Sequence, residues 1–212
     1  RLMYAYPGYV SDPLIELMST SRQILPYLDI PLQHASPAVL KAMKRPANME
    51  WVRNTLRKMR ERIPEMGLRT TFITGFPAET EKDYQTLLDF VAEIRFDHMG
   101  VFPYSFELGT SGAALGDPIP ADEKSRRVEG LMKLQETISM ERNQRLIGKS
   151  LDVLVEGYGD GVSVGRSYRD APEIDGLVLI EDEAEIGQIV PVKITSALVH
   201  DLIGRLVFSK IS

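Results

Sequence analysis

Apolar and polar residues follow a repeated order along the first half of the chain. Up to about residue 106, a short apolar run is followed by a loop rich in Pro, Gly or polar residues and then by a stretch with helical periodicity. Short apolar runs bounded by turn residues predict buried strands, and a period of about 3.6 residues predicts helices. Four strands are predicted in this way: Leu2 to Tyr6, Tyr27 to Leu32, Leu68 to Thr74 and His98 to Ser105.

The stretches between these runs predict helices with recognisable start signals. Ser36 is followed by Pro37, which is typical of an N-cap and a first helical position. Thr80 and Asp83 have the spacing of a capping box. Because strands that alternate with helices pair in parallel, functional side chains are expected in the loops after the strands. The predicted helices are Pro13 to Ser19, the residues after Ser36, Met49 to Arg62, Glu81 to Ile94 and a long amphipathic one from Asp122 to about Ile147.

After Gly148 the pattern changes to short β-type runs separated by glycine turns. Five such runs predict a small all-β barrel that resembles an OB-fold. We therefore predict an α/β chain in three parts: a partial barrel at 1–120, a connecting helix at 121–147 and the all-β domain at 148–212. The predicted strands of the last part are Leu151 to Val155, Val162 to Val164, Leu177 to Ile180, Ile189 to Ile194 and Gly204 to Phe208.

Composition excludes several kinds of chemistry from these residues. The 212 residues are 43% hydrophobic and include no cysteine, so they cannot form a disulfide, a thiolate nucleophile or a thiolate-held iron–sulfur cluster. The histidines, His34, His98 and His200, lack the spacing of a metal site, and we predict no metal ligand. The sequence has no signal-peptide pattern and no long apolar run, which predicts a cytoplasmic protein without membrane association.

Two of the loops after predicted strands carry candidate ligand-binding groups. Gly75 lies where a strand meets its loop and lets a ligand approach the backbone, although a Gly-Phe-Pro run is also an ordinary turn. Gln33 and His34 end another strand and can hydrogen-bond a ribose or an amino-acid group. His34 is alternatively a buried histidine or an acid–base group. Glu79 either favours the following helix N-terminus or contacts a ligand.

Four longer segments resemble a known family. Tyr27 to Ser36, Leu40 to Pro46 and Thr71 to Thr80 are similar to the radical SAM methylthiotransferases. Gly165 to Gly176 resembles the RimO branch of that family, which methylthiolates an aspartate of a small-subunit ribosomal protein. The resemblance covers essentially the whole chain. It implies that residues 1–120 supply strands three to six of a six-strand radical SAM barrel and that residues 148–212 form a TRAM domain.

The resemblance also implies cofactors and site residues. The cofactors would be S-adenosyl-L-methionine (SAM) and two 4Fe-4S clusters in the whole enzyme, neither of them ligated by this chain, which alone is expected to be inactive. No catalytic residue is assigned, and Ala78 departs from the family, which usually has glycine there. Gly75, Phe76 and Pro77 are expected at the adenine of SAM, Gln33 and His34 near its ribose or methionine, and Tyr104, Ser105, Arg166 and Arg169 towards the substrate.

Charge separates the partners that this family uses. Residues 148–212 contain six basic and eleven acidic side chains, and their net charge of -5 equals that of the whole chain. An acidic domain disfavours RNA phosphates and favours a basic ribosomal protein, so nucleic acid is not the expected direct substrate. The alternatives are a transfer RNA methylthiotransferase of the same superfamily and a non-catalytic binding module. A solvated acidic loop without a partner is the plainer interpretation of the same charge.

The N-terminus predicts the association state of the chain. Because Arg1 stands directly before the alternating run Leu2 to Tyr6, we expect the chain to be part of a longer protein. The resemblance implies that an N-terminal domain, the first two barrel strands and the cysteine loop belong to that longer protein. A strand with an unpaired edge associates with other chains. We therefore predict that the isolated chain forms a dimer or a swapped assembly, or is partly disordered. Size-exclusion light scattering measures this, and a stable monomer at high concentration would contradict it.

Overall fold

The first part of the chain forms a parallel α/β unit, as predicted. The computed structural model describes residues 1–110 and 112–207. Strands β1 (Tyr27–Asp29), β2 (Gly67–Thr74) and β3 (His98–Pro103) pair in parallel in the order β1-β2-β3. The helices of this unit are α1 (Asp12–Thr20), α2 (Pro37–Ala42), α3 (Met49–Arg62) and α4 (Glu81–Ile94), with single 3₁₀ turns at Pro7–Tyr9 and Ala113–Leu115.

The first predicted strand, Leu2 to Tyr6, is wrong in extent. Leu2 forms one parallel bridge to Leu28, and the backbone N–H of Asp29 donates to the Leu2 carbonyl at 2.9 Å. Tyr4 then leaves the strand with φ of 56°, and its N–H donates to the Asp29 carboxylate at 3.0 Å. The Asp29 side chain therefore accepts the Tyr4 N–H that a longer strand would donate to a backbone carbonyl. The apolar–polar pattern of Leu2 to Tyr6 does not reveal this contact.

The second and fourth predicted strands are also shorter than expected. β1 ends at Asp29 because Pro31 has no N–H to donate and Gln33 has φ of 71°, although Gln33 still bridges Phe72 of β2. β3 ends at Pro103 rather than Ser105. The backbone that follows β1 nevertheless stays beside β2, since the Gln33 N–H donates to the Thr71 carbonyl at 2.9 Å. The loop that follows β1 is thus held against β2, the central strand of the sheet.

Helix boundaries follow the predicted start signals closely. α3 and α4 have the predicted bounds, and Thr80 and Asp83 form the predicted capping box at the start of α4. Ser36 occupies the N-cap position of α2, but its hydroxyl donates to the Asp83 carboxylate at 2.5 Å instead of capping the helix. One carboxylate therefore serves both the start of α4 and the loop that follows β1.

The core of this unit lies between the sheet and the helices. Alternate residues of β2 are fully or almost fully buried, and Phe72 lies at their centre. Its ring is 6.4 Å from that of Phe90 in α4 and 6.0 Å from that of Phe96, with edge-to-face geometry in both pairs. Such contacts add to the apolar area that the rings bury. They hold β2, whose C-terminal end carries Gly75, in a fixed position.

The last part of the chain forms a closed five-stranded barrel, as predicted. β4 (Ser150–Gly159), β5 (Val162–Arg166), β6 (Val178–Ile180), β7 (Ile189–Ala197) and β8 (Leu202–Leu206) close in the order β4-β5-β6-β8-β7. β4 and β7 are longer than predicted because bulges near Val155 and Ile194 let them bend and continue. Phe208, the end of the last predicted strand, lies outside the described residues. Buried Val153, Val155, Val178, Ile180, Val192, Ile194 and Leu202 fill the barrel.

A long helix, α5 (Ala121–Gln144), precedes the barrel. The contacts divide the chain into two compact units within this helix, between Gln135 and Glu136. The first unit runs from Leu2 to Gln135, and the second contains Glu136 onwards together with Arg1.

We predict that Gly165→Ala destabilises the barrel by about 1 to 3 kcal/mol, because a methyl group there meets packed backbone. A Cβ at Gly165 would lie 2.3 Å from the Leu154 carbonyl oxygen, whereas at Gly159 on the neighbouring strand it would meet nothing within 4 Å. Gly159→Ala is therefore the control. Hydrogen-exchange mass spectrometry of peptides from β4 and β5 measures the difference, and equal protection in the two variants would refute the prediction.

Candidate active-site cleft

A cleft of about 580 Å³ opens at the C-terminal ends of the three parallel strands. Each loop after a strand contributes to its wall: Gln33 follows β1, Phe76 follows β2, and Tyr104 and Ser105 follow β3. In parallel α/β sheets this edge is where ligands bind. The other lining residues are Ala42, Met43, Arg45, Thr71, Ile73, Phe102, Pro103, Glu107, Thr110 and Gly112.

Gln33 and His34 are adjacent in sequence but have different surroundings. Gln33 lines the cleft, and its backbone is held by the Thr71 carbonyl at 2.9 Å and by the Ile73 N–H at 2.8 Å. His34 is fully buried and is not among the lining residues. Its Nδ1 accepts the Ser36 N–H at 2.9 Å, which places the proton of a neutral ring on Nε2. Nε2 has no hydrogen-bond partner among the described residues and lies 3.9 Å from Glu79 Oε2.

The Gly75-Phe76-Pro77 loop brings an aromatic ring to the cleft. Gly75 has φ of 76°, and a Cβ there would lie 2.5 Å from Cγ of Lys124, so both the conformation and the space require glycine. Phe76 lines the cleft and packs edge-to-face on Tyr104, with ring centroids 5.2 Å apart. Gly75 and Pro77 are not among the lining residues, and they shape the turn that presents Phe76.

A buried carboxylate, that of Glu79, holds this loop. It accepts hydrogen bonds from the Thr74 hydroxyl at 2.9 Å, from the Gly75 N–H and from the Phe76 N–H at 3.2 Å. Arg127 of α5 lies 3.1 Å from its Oε1. Glu79 precedes the N-cap of α4, and its side chain is turned into the loop. A charged group without solvent is stable only when it is paired and hydrogen-bonded, and Glu79 meets both conditions.

The surroundings of Glu79 favour its ionised form. Burial raises the pKa of Glu79, but the adjacent His34 ring, the Thr74 hydroxyl and the Arg127 guanidinium together outweigh burial and lower it below the usual glutamate range. At 3.9 Å, the His34 contribution is an electrostatic attraction rather than a hydrogen bond. The loop is therefore fixed by a charge that persists under mildly acidic conditions.

Lys124 of α5 holds the segment that follows β3. Its Nζ donates to the Tyr104 carbonyl at 3.0 Å and to both oxygens of Asp117, at 2.5 and 2.7 Å. The ammonium also lies 5.3 Å from the centre of the Tyr104 ring. Because its aliphatic stem fills the space above Gly75, Lys124 connects the Gly75 loop to the end of β3. Lys124 and Arg127 thus both fix the walls of the cleft from one helix.

Sequence reasoning missed several residues of the cleft wall. Thr71, Ile73 and Phe102 lie on β2 and β3. Their alternation along the strands and their closeness to the strand ends were the sequence signals that could have indicated a position at the cleft. Arg45 belongs to the segment Leu40 to Pro46, which the resemblance singled out without giving it a role. Their common position follows from strand register, since Ile73 pairs with Phe102 and Thr71 with Gly100.

The two arginines of the barrel domain that were expected to face the substrate, Arg166 and Arg169, have internal partners. Arg166 Nε donates to the Glu156 carboxylate at 2.6 Å. Arg169 is almost fully buried, and its guanidinium donates to Asn143 Oδ1 at 3.1 Å. In the same segment, Gly165 to Gly176, the Asp170 carboxylate accepts a hydrogen bond from the Ser167 hydroxyl at 2.7 Å. The expected substrate-facing role of both arginines therefore stays a prediction, and for Arg169 it requires the loop to open.

The part of the chain that the structure describes offers no set of metal ligands. The described residues contain no cluster of three or more His, Cys, Asp or Glu side chains that could hold a metal ion. The absence of cysteine from the sequence means that an iron–sulfur cluster would need thiolates from elsewhere.

Among the described residues, no helix is long and apolar enough to cross a bilayer.

Comparisons with known proteins match both parts of the chain. Residues 1–91 match the family described as the radical SAM superfamily, and residues 147–207 match the TRAM domain family. Ribosomal protein uS12 methylthiotransferase RimO of Syntrophotalea carbinolica is 47% identical over 98% of this chain and 46% of its own length. The protein of the same name from Thermus thermophilus is 46% identical over 96% of this chain and 48% of its own length. The chain thus spans about half the length of these relatives.

A solved structure supports the fold. Coproporphyrinogen III oxidase (HemN) from Escherichia coli, titled a radical SAM enzyme, aligns with a TM-score of 0.52 and 20% identity over 65% of this chain and 32% of its own. The fold and the family matches define a chain that joins part of a radical SAM barrel to a TRAM domain. Along almost its whole length, the chain is similar to methylthiotransferases of the RimO branch.

We predict that Glu79→Gln destabilises the first unit by about 2 to 4 kcal/mol, because it leaves Arg127 without its buried counter-charge and weakens the bonds to the loop. Glu81→Gln is the control, since Glu81 pairs with Arg126 but its side chain is 66% exposed, and it should cost less than about 1 kcal/mol. Urea unfolding followed by the fluorescence of Trp51, the one tryptophan of the sequence, measures both. Equal midpoints for the two variants would contradict the structural role of Glu79.

The same measurement has a pH dependence. A carboxylate with a lowered native pKa stabilises the folded state above its unfolded pKa, about 4.3, and this stabilisation is lost as the pH falls through the native pKa. The Trp51-detected stability of the wild type should therefore decline more steeply below about pH 4.3 than that of Glu79→Gln. Parallel declines would show that Glu79 is not the group responsible.

Proposed function

We propose that this chain is the SAM-facing and partner-binding portion of an enzyme that adds a methylthio group to the β-carbon of an aspartate in ribosomal protein uS12. The observation that carries the proposal is the cleft, formed by the loops after three parallel radical SAM strands, in a chain whose relatives are named uS12 methylthiotransferases. The chain supplies position and shielding, and a reaction on a ribosomal protein would take place in the cytoplasm.

The cleft suits the size and chemistry of SAM. A volume of about 580 Å³ falls within the range of small-molecule sites. The ring of Phe76 offers a surface for adenine, the Gln33 amide offers hydrogen bonds to ribose hydroxyls, and Tyr104 and Ser105 stand at the rim that a substrate would approach. His34, Gly75 and Pro77 act through the loop backbone in this proposal. Bound SAM, together with an iron–sulfur cluster, would supply the radical that removes hydrogen from the target carbon.

The iron would be held outside these residues. In this proposal the whole protein carries two 4Fe-4S clusters on cysteines that the present sequence does not contain. The role of this chain is then to keep the nucleoside end of SAM in a fixed orientation and to keep water away from it. The charged anchors Glu79, Lys124 and Arg127 serve that role, because they are buried and hold the loops on two sides of the cleft.

The TRAM domain suits a basic protein partner better than RNA. Glu181, Glu183 and Glu185 are exposed on one loop, which Ile186 and Ile189 follow with exposed fractions of 59% and 68%. Acidic groups beside apolar ones attract a cationic protein surface and repel phosphates. A transfer RNA substrate is the competing proposal. The two proposals are separated by which of the two macromolecules, uS12 or transfer RNA, the protein binds.

The test uses a full-length protein that contains this chain, with its clusters reconstituted. Incubation with SAM, a reductant and a sulfur source should replace one hydrogen of uS12 by a methylthio group and leave transfer RNA unmodified. Phe76→Ala should lower the affinity for SAM about tenfold, because base–aromatic contacts contribute about 1 to 3 kcal/mol. Phe76→Leu, which keeps most of the buried volume, is the control for folding. Modification of transfer RNA but not of uS12 would refute the proposal.

A further inference from the structure

Arg45 stands out among the residues that line the cleft. It is the one cationic side chain on the described cleft wall, and Glu107 is the one anionic side chain. The other lining side chains are apolar or neutral and polar. Arg45 is exposed, and its guanidinium has no hydrogen bond or ion pair with any residue that the structure describes. By contrast, Arg53, Arg62 and Arg126 on other helices of this unit all pair with carboxylates.

The backbone that carries Arg45 is fixed by the end of α2. The Lys44 N–H donates to the Lys41 carbonyl at 3.0 Å, and the Arg45 N–H donates to the Leu40 carbonyl at 2.8 Å. This pair of bonds is the Schellman arrangement, in which the residue after the C-cap is left-handed. Lys44 fills that position with φ of 55°, where glycine is the usual residue. A left-handed conformation costs a residue with a side chain roughly 1 to 2 kcal/mol.

That geometry gives Arg45 a defined place at the cleft. The turn reverses the chain directly after α2, so that Ala42, Met43 and Arg45 all reach the cleft wall. Pro46 follows and restricts Arg45 to extended conformations. A guanidinium with a fixed backbone and unoccupied donors matches a carboxylate through two parallel hydrogen bonds.

We propose that Arg45 binds a carboxylate inside the cleft. This inference rests on the proposed function, because that function brings two carboxylates to the site: the amino-acid end of SAM and the side chain of the target aspartate. Both present the same planar, singly charged group, and Arg45 is the cation of the cleft wall that is available to either of them. Glu107, which lines the same cleft, disfavours a carboxylate beside its own charge and so favours binding at Arg45.

The test compares ligands that differ in one carboxylate. Isothermal titration of a full-length protein that contains this chain, with its clusters reconstituted, uses S-adenosylhomocysteine against 5′-methylthioadenosine, which lacks the amino-acid carboxylate, and an aspartate peptide against its asparagine counterpart. Arg45→Met should weaken one carboxylate ligand about tenfold and leave its neutral counterpart unchanged. Arg45→Lys should retain part of the affinity, because it keeps the charge and loses the fork.

Lys41→Met is the matched control, because it removes an exposed cation of α2, the helix before Arg45, that does not line the cleft. It should leave all four affinities unchanged. The inference is overturned if Arg45→Met weakens both members of each pair equally or changes none of them. If the adenosine ligands do not bind the wild type but the aspartate peptide binds through Arg45, the SAM proposal fails and this inference stands. Absence of binding by all four ligands contradicts both.

Discussion

The buried carboxylate of Glu79 is the interaction on which the cleft depends. Its charge is compensated by donors from the end of β2, by two successive backbone N–H groups and by Arg127 of α5. If the loop moved away, it would leave an unpaired charge in the interior, which is costly. The position of Phe76 is therefore set by electrostatics as well as by packing, and a ligand meets a wall that is already formed.

The long helix α5 takes part in the site through two of its residues. Lys124 and Arg127 are three positions apart and so lie on one face of the helix. Arg127 compensates Glu79, while Lys124 holds the Tyr104 carbonyl and Asp117. From sequence the helix was understood as a connection between domains. The structure shows that its N-terminal turns are also a scaffold for the cleft, which ties the position of the β3 end to that of the Gly75 loop.

The features predicted correctly are those that depend on residues close together in the sequence. The bounds of α3 and α4 and the capping box at Thr80 follow from periodicity and side chains within a few residues. The extent of the first strand was wrong because Asp29, 25 positions away, binds the Tyr4 amide. Ser36 likewise binds Asp83 rather than its own helix. Such choices depend on partners that become neighbours only after folding.

The site was predictable to the same degree. The loop after a predicted strand indicated Gln33, and the family resemblance implied Phe76, Tyr104 and Ser105; all four residues line the cleft. The surroundings of His34 could not be read from sequence, because its burial depends on Glu79 and on the loop that Glu79 organises. Arg45 escaped notice since its position depends on a left-handed Lys44, a residue that normally avoids that conformation.

Amide hydrogen exchange at Gly75 and Phe76, measured by NMR, tests the central claim most directly. Both N–H groups are buried and donate to Glu79, so at neutral pH they should exchange far more slowly than unstructured amides. Their protection, corrected for intrinsic rates, should fall when acid protonates the carboxylate. Exchange at unprotected rates at neutral pH would show that Glu79 does not hold the loop, and would contradict the account of how the cleft is built.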